Sequence, residues 1–189
     1  MPDELTFHLC ETERGWVGMV LSPHGLRATT LPRQSRDEAL RDVMEAGATG
    51  PSAEADLADL PERICALASG RYENLAIHVD WNGISGFRRS VLEETMHIPA
   101  GKTRSYGWVA AKVGHPRAGR AVGRIMATNP LPLVVPCHRV VGSNGSLGGY
   151  GGGLPMKEAL LRAEGVTVPA PLKGHHRIVA LGSGARTSP

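Results

Sequence analysis

Cys137 is the residue around which a reaction could be built. It stands between Pro136 and His138, with Arg139 next, at the end of an apolar run broken by prolines. A thiolate is a strong nucleophile whose pKa falls near cations and bases. His138 and Arg139 are groups of those kinds. After Glu94 the only carboxylates are Glu158 and Glu164. Glu164 can orient the His138 imidazole, which makes a candidate Cys/His/Glu relay. On residue types alone, an inert buried cysteine beside an unrelated histidine would look the same. The other two cysteines are Cys10 and Cys65. An odd number at wide spacings argues against a disulfide framework. Cys10, His24, Cys65 and His78 lack the close-spaced ligand pair of a zinc site. No metal is expected, and Cys10 and Cys65 read as core residues.

The elements that must position Cys137 fall into two unlike halves. Residues 1–86 carry 7 Lys+Arg against 14 Asp+Glu, and residues 87–189 carry 14 against 4. An acidic module followed by a basic one predicts that the second meets a polyanion. The first half reads as β-prone runs at Leu5 to Cys10, Trp16 to Leu21 and Leu26 to Leu31, punctuated by Gly15, Pro23 and Gly25. This predicts an antiparallel meander. A helix follows over Arg36–Glu45, with Ala39, Leu40 and Val43 on one face. A second helix is expected over residues 54–67, and one more strand over residues 75–80. The expected fold is therefore an α/β N-terminal domain (residues 1–80, a small antiparallel sheet with helices). A mostly α-helical C-terminal domain (residues 86–165) should follow.

In the second half, Phe87, Val91 and Leu92 share a helical face. Residues 105–113 read as a short helix capped by Ser105, and residues 117–128 as another, separated by Gly114-His115-Pro116. Two short helices about such a turn outline a helix-turn-helix. Arg117, Arg120 and Arg124 fall on one face of the second helix, where they suit phosphates or plain solvent. A last helix is expected over residues 156–163. Residues 166–189 read as a loose tail. No apolar run suits a membrane span, and the first residues lack a signal peptide's pattern. Together with free cysteines, this predicts a reducing, cytoplasmic setting.

Pro136-Cys137-His138-Arg139-Val140 resembles the active-site signature of the O6-alkylguanine-DNA alkyltransferases, the methylated-DNA–protein-cysteine methyltransferases. Several ordered motifs extend the resemblance over residues 84–165. Ile98-Pro-Ala-Gly-Lys-Thr-Arg-Ser-Tyr106 is similar to the family's Ile-Pro-x-Gly-x-Thr-x-Ser-Tyr. Arg120-Ala-Val-Gly123 and Asn129-Pro130 resemble its recognition helix and hinge. Gly148-Gly-Tyr-Gly-Gly-Gly153 and the stretch from Lys157 to Gly165 resemble its binding loop and last helix.

The resemblance implies single-turnover repair of O6-alkylguanine in duplex DNA, with O4-alkylthymine as a second candidate substrate. It implies base flipping, no cofactor, and a monomer. Cys137 would accept the alkyl group. His138 would take its proton through a water, and Glu164 would hold His138. Tyr106 would assist the leaving guanine, and Asn129 would brace the turn. The carbonyl groups of Cys137 and Val140, with the backbone at Tyr150 and Gly151, would hold the flipped base. Arg120 would fill the gap in the stack, flanked by Arg117 and Arg124. The chain departs from the family pattern at Gly151, usually Ser, at Leu92, often Trp, and at Arg88, often Gln. At Trp108 a polar residue is common.

Overall fold

A computed structural model describes residues 4–53, 57–71, 76–168 and 178. The first half is built on a sheet of β1 (Thr6–Thr12), β2 (Gly15–Ser22), β3 (Gly25–Thr29) and β4 (Gly50–Pro51), in the order β3-β2-β1-β4. The three-strand meander is antiparallel as expected, but β4 pairs parallel with β1 through Thr6 and Phe7. The sheet is therefore mixed. The helix α1 (Arg36–Glu45) carries the chain back across the sheet between β3 and β4, and such a crossover delivers a parallel strand.

Side chains of β2 alternate between two cores, as the pleat requires. Val20 faces Val43 of α1, while Val17, Met19 and Leu21 face the main apolar cluster. Helix α1 has the bounds expected from sequence. Ser35 caps it by accepting from the Glu38 amide at 3.2 Å, which satisfies one of the otherwise orphaned amides.

Helix α2 (Leu60–Ala68) is shorter than expected. Pro61 lies in its first turn, where its missing N–H costs nothing, and Ala58 just before has φ +46°. Residues 54–56 lie outside the described residues. The expected strand over 75–80 is not one. Residue 75 is not described, and among residues 76–80 only Val79 forms an isolated parallel bridge, to Leu26.

The second half is mainly helical: α3 (Gly86–Met96), α4 (Tyr106–Lys112), α5 (Gly119–Ala127) and α6 (Gly153–Ala163). Ser105 caps α4 as expected, accepting from the Trp108 amide at 3.0 Å. Helix α5 starts two residues later than residue types suggested. Pro116 and Arg117 sit at the centre of a turn closed by Ala118 N–H donating to His115 C=O at 2.9 Å. Pro favours that position of a turn. Arg117 therefore lies outside the helix, and the three-arginine stripe reduces to Arg120 and Arg124 on α5.

One apolar cluster joins the halves, running through Val17 and Met19 to Leu92, Cys137 and Leu160. Thr29 fastens them further: its amide donates to Pro130 C=O at 2.9 Å and its hydroxyl to Pro132 C=O at 2.7 Å. Where a loose tail was expected, Val168 and Ile178 are buried with Val141, Leu147 and Leu161. The rest of residues 169–189 lies outside the described residues. No helix among the described residues is long and apolar enough to cross a membrane.

Candidate active site

The apolar, proline-broken run before Cys137 is a series of tight turns. Asn129 organises it. Its side-chain amide donates to Val135 C=O at 2.9 Å, and its side-chain oxygen accepts from the Leu131 amide at 3.0 Å. Leu133 sits at φ +74°, a conformation rare for a branched residue. Prolines 130, 132 and 136 each remove a donor and fix φ, which suits turns better than a ladder. Cys137–Arg139 then form one 3₁₀ turn, leading into β6 (Val140–Val141). Strand β6 pairs parallel with β5 (Arg104–Ser105). This two-residue ladder brings the start of α4, and so Tyr106, beside the Cys137 turn.

Cys137 is buried, at 6% exposure. Burial pushes its thiol pKa up. Asn129, the Lys157 charge and Tyr150 pull the other way, because each stabilises the thiolate. Tyr106 is half-buried; burial raises its phenol, and the Cys137 charge raises it further. Gly148 explains one constraint of the binding loop. It adopts φ +67°, and a Cβ there would lie 2.9 Å from the Tyr106 hydroxyl oxygen. Any other side chain there would press on that phenol, in a backbone conformation that favours glycine.

His138 and Glu164 meet as expected. His138 Nε2 lies 2.5 Å from Glu164 Oε1, with both side chains at 0% exposure. Burial pushes the histidine pKa below its ordinary value, against the pull of Glu164. Burial also opposes the Glu164 charge, but His138 and Arg139 outweigh it and hold the carboxyl near 2, at about 2 against 4.5. The pair therefore rests as a carboxylate accepting from a neutral imidazole. That sets the tautomer with the proton on Nε2 and leaves Nδ1 as the basic nitrogen.

Gly101 and Lys157 take roles at this site that the sequence did not assign, and Arg139 takes a different one. Arg139 was read as a neighbour of the thiol, but it turns to Glu164, donating through Nε at 3.0 Å and Nη2 at 3.2 Å. It also donates to Ile98 C=O. Gly101 donates its amide to Glu164 Oε2 at 3.2 Å, and at φ +71° a Cβ would come 2.9 Å from the Glu164 carbonyl oxygen. The Ile-Pro-x-Gly motif is thus a seat for Glu164. Lys157 is fully buried on α6, donating to Val140 C=O at 2.6 Å and Leu147 C=O at 2.5 Å. Burial lowers its pKa to about 8, although the Cys137 charge supports the ammonium. Its one sequence signal was a cation at helical spacing from Leu160 and Leu161, on the buried stripe.

Val140 is buried with its carbonyl on Lys157, Tyr150 is half-buried with its ring 5.9 Å from the Lys157 ammonium, and Gly151 is exposed near Leu31. Arg117, Arg120 and Arg124 are all exposed. The opposite face of α5 buries Val122 and Met126. Gly123 faces the Tyr106 ring, a Cβ there reaching 3.9 Å from it. Leu92, which replaces a common Trp, is fully buried. Arg88 donates to Thr128 C=O at 2.7 Å, and the Arg104 and Lys112 cations lie 5.0 and 5.4 Å from the Trp108 ring.

Residues 86–166 match the family model described as 6-O-methylguanine DNA methyltransferase, DNA binding domain. A methylated-DNA–protein-cysteine methyltransferase of Mycolicibacterium paratuberculosis is 46% identical over 111 residues, covering 59% of this chain and 67% of the relative. One of Salmonella typhimurium is 51% identical over 83 residues, 44% of this chain and 48% of its own length. Among solved structures, the Mycobacterium tuberculosis O6-methylguanine methyltransferase superposes with a TM-score of 0.68 at 30% identity, covering 85% of this chain and 92% of that one. A complex of the M. tuberculosis protein with DNA gives 0.68 at 32% identity, covering 84% and 92%. The fold and the family match are those of a cysteine-dependent methyltransferase. The chain belongs to the methylated-DNA–protein-cysteine methyltransferase family.

Proposed function

We propose that this chain repairs DNA by moving one alkyl group from O6 of guanine in duplex DNA to Cys137, once per molecule. The observation that carries the proposal is the buried Cys137 thiol between a thiolate-stabilising set (Asn129, Lys157, Tyr150) and the His138–Glu164–Arg139 network. The S–C bond forms as the C–O bond breaks. The thiol proton passes through a bridging water to His138, and Tyr106 supplies a proton or hydrogen bond to the departing guanine. Glu164 and Arg139 hold the imidazole in its basic tautomer. A thioether does not regenerate readily, so turnover stops at one. Acceptor and donor supply every atom that moves, so the reaction needs no cofactor and no metal.

A sulfur this deeply buried cannot reach a base inside the stack, so the guanine must be flipped. In this reading the Cys137 and Val140 carbonyl groups and the backbone at Tyr150 and Gly151 hold the base. Helices α4 and α5 act as a helix-turn-helix, and Arg120 fills the vacated stack. Arg117 and Arg124 contact phosphates. The basic half supplies sequence-independent affinity, suited to lesions that arise anywhere. We read residues 1–80 as a supporting domain and residues 86–165 as the catalytic one, acting as a cytoplasmic monomer. O4-alkylthymine is a second candidate substrate.

The test is the intact mass of the protein before and after incubation with a duplex containing O6-methylguanine. One methyl group on Cys137, and none on Cys137→Ala, is expected. Many equivalents demethylated per chain, or methyl on another residue, would overturn the proposal.

A further inference from the structure

The other two cysteines come together on one face of the sheet. Cys10 lies on the face of β1 that points into the main cluster, opposite Val17. Helix α2 packs against that face and carries Cys65. The Cys65 sulfur reaches the carbonyl of Glu11, the residue next to Cys10, at 3.6 Å, and Cys65 packs against the apolar cluster that contains Cys10. They differ in access: Cys10 is buried at 9% exposure and Cys65 is only partly buried. Cys137, at 6%, is more enclosed than either.

We propose that Cys10 and Cys65 form a disulfide by exchange with a low-molecular-weight disulfide, tying β1 to α2. Cys65 reacts first, because its sulfur is the reachable one. Its thiolate attacks the small disulfide, one S–S bond replaces another, and one small thiol leaves. The Cys10 sulfur then attacks Cys65 in the mixed disulfide and releases the second small thiol. Two protein thiols are oxidised, one small disulfide is reduced to two thiols, and each departing thiolate takes up the proton that a cysteine has lost. Bridging residues far apart in sequence constrains the unfolded chain, so the oxidised protein should melt at a higher temperature.

The experiment incubates the full reduced chain with glutathione disulfide, followed by intact mass and a non-reducing peptide map. The expected product is about 2 Da lighter than the reduced chain, with a Cys10–Cys65 peptide reversed by dithiothreitol. Its remaining thiol, Cys137, should still accept a benzyl group from O6-benzylguanine. Cys10→Ser should instead retain one glutathionyl group on Cys65, and Cys65→Ser should take up none. Stable glutathionylation of wild-type Cys65, a bridge that includes Cys137, or no reaction would overturn the proposal. The wild-type peptide map decides it even if Cys10→Ser does not fold.

Discussion

Cys137 and Cys10 are both buried thiols whose pKa is pushed up first of all by burial, yet their surroundings act in opposite senses. Around Cys137, Asn129, Lys157, its own backbone and Tyr150 all favour the thiolate. Around Cys10, Cys65 and Glu62 add to the effect of burial, and every contribution points toward the neutral thiol. Burial alone thus does not distinguish an acceptor from a core residue. What distinguishes them is whether the site carries charge and donors in place for the anion that appears during reaction. Cys137 stays protected at rest and is stabilised when it ionises; Cys10 has no such support.

The sharpest break of this comparison is to exchange the two thiols' fates. Cys137→Ala should abolish transfer while DNA binding persists in a gel-shift assay, whereas Cys10→Ala should transfer at the wild-type rate. Loss of transfer in Cys10→Ala with an unchanged melting curve would contradict the contrast.

Glu164→Gln should slow transfer by on the order of 10²-fold, because the imidazole loses its orienting anion. The same carboxylate ties the site to acid stability. Its pKa is lowered by folding from 4.5 to about 2, so its stabilisation is present above pH 4.5 and lost as pH falls toward 2. That is worth on the order of 3 kcal/mol. His138 acts in the same direction: its folded pKa lies below its ordinary value, so falling pH protonates it in the unfolded chain first. Urea melts between pH 7 and 3 should show a steeper loss for wild type than for Glu164→Gln. The transfer rate itself should hold to below the usual histidine range before falling.

Lys157→Met removes the buried charge beside Cys137 but keeps the side-chain length. Transfer to Cys137 should fall roughly ten- to hundredfold, the worth of one charge-assisted interaction. Single-turnover kinetics with O6-benzylguanine would measure it, and an unchanged rate would remove Lys157 from the thiolate's support.

On the DNA side, Arg120→Ala should lose roughly tenfold on duplex, where a flipped base must be held out at a cost of a few kcal/mol. It should keep its rate on free O6-benzylguanine; equal losses on both would end the stack-filling role. The smallest effect is expected at Arg124→Ala: weaker binding at all sequences, with the salt slope reduced by about one.

Much of the site was legible in the chain because its signals are local. Cys137, His138 and Arg139 are consecutive, the Ser35 and Ser105 caps lie within a turn of the amides they satisfy, and Tyr106 and Asn129 sit in short motifs. Helix starts marked by proline were legible in principle, yet Pro61 and Pro116 moved α2 and α5 later than apolar spacing suggested. The rest depends on which distant groups meet. Two residues of β4 pair with β1 only after α1 has crossed the sheet. Arg139 leaves the thiol for Glu164 because a buried carboxylate needs a cation and the Ile98 carbonyl needs a donor. Lys157 enters the core because the Val140 and Leu147 carbonyls converge there, and a buried acceptor without a partner is costly. Cys10 and Cys65 become neighbours only through the packing of α2 on β1. Spacing along the chain determines periodicity, caps and turns; the partner of a buried polar group is decided by the tertiary fold, which alone determines which donors and acceptors have lost their water.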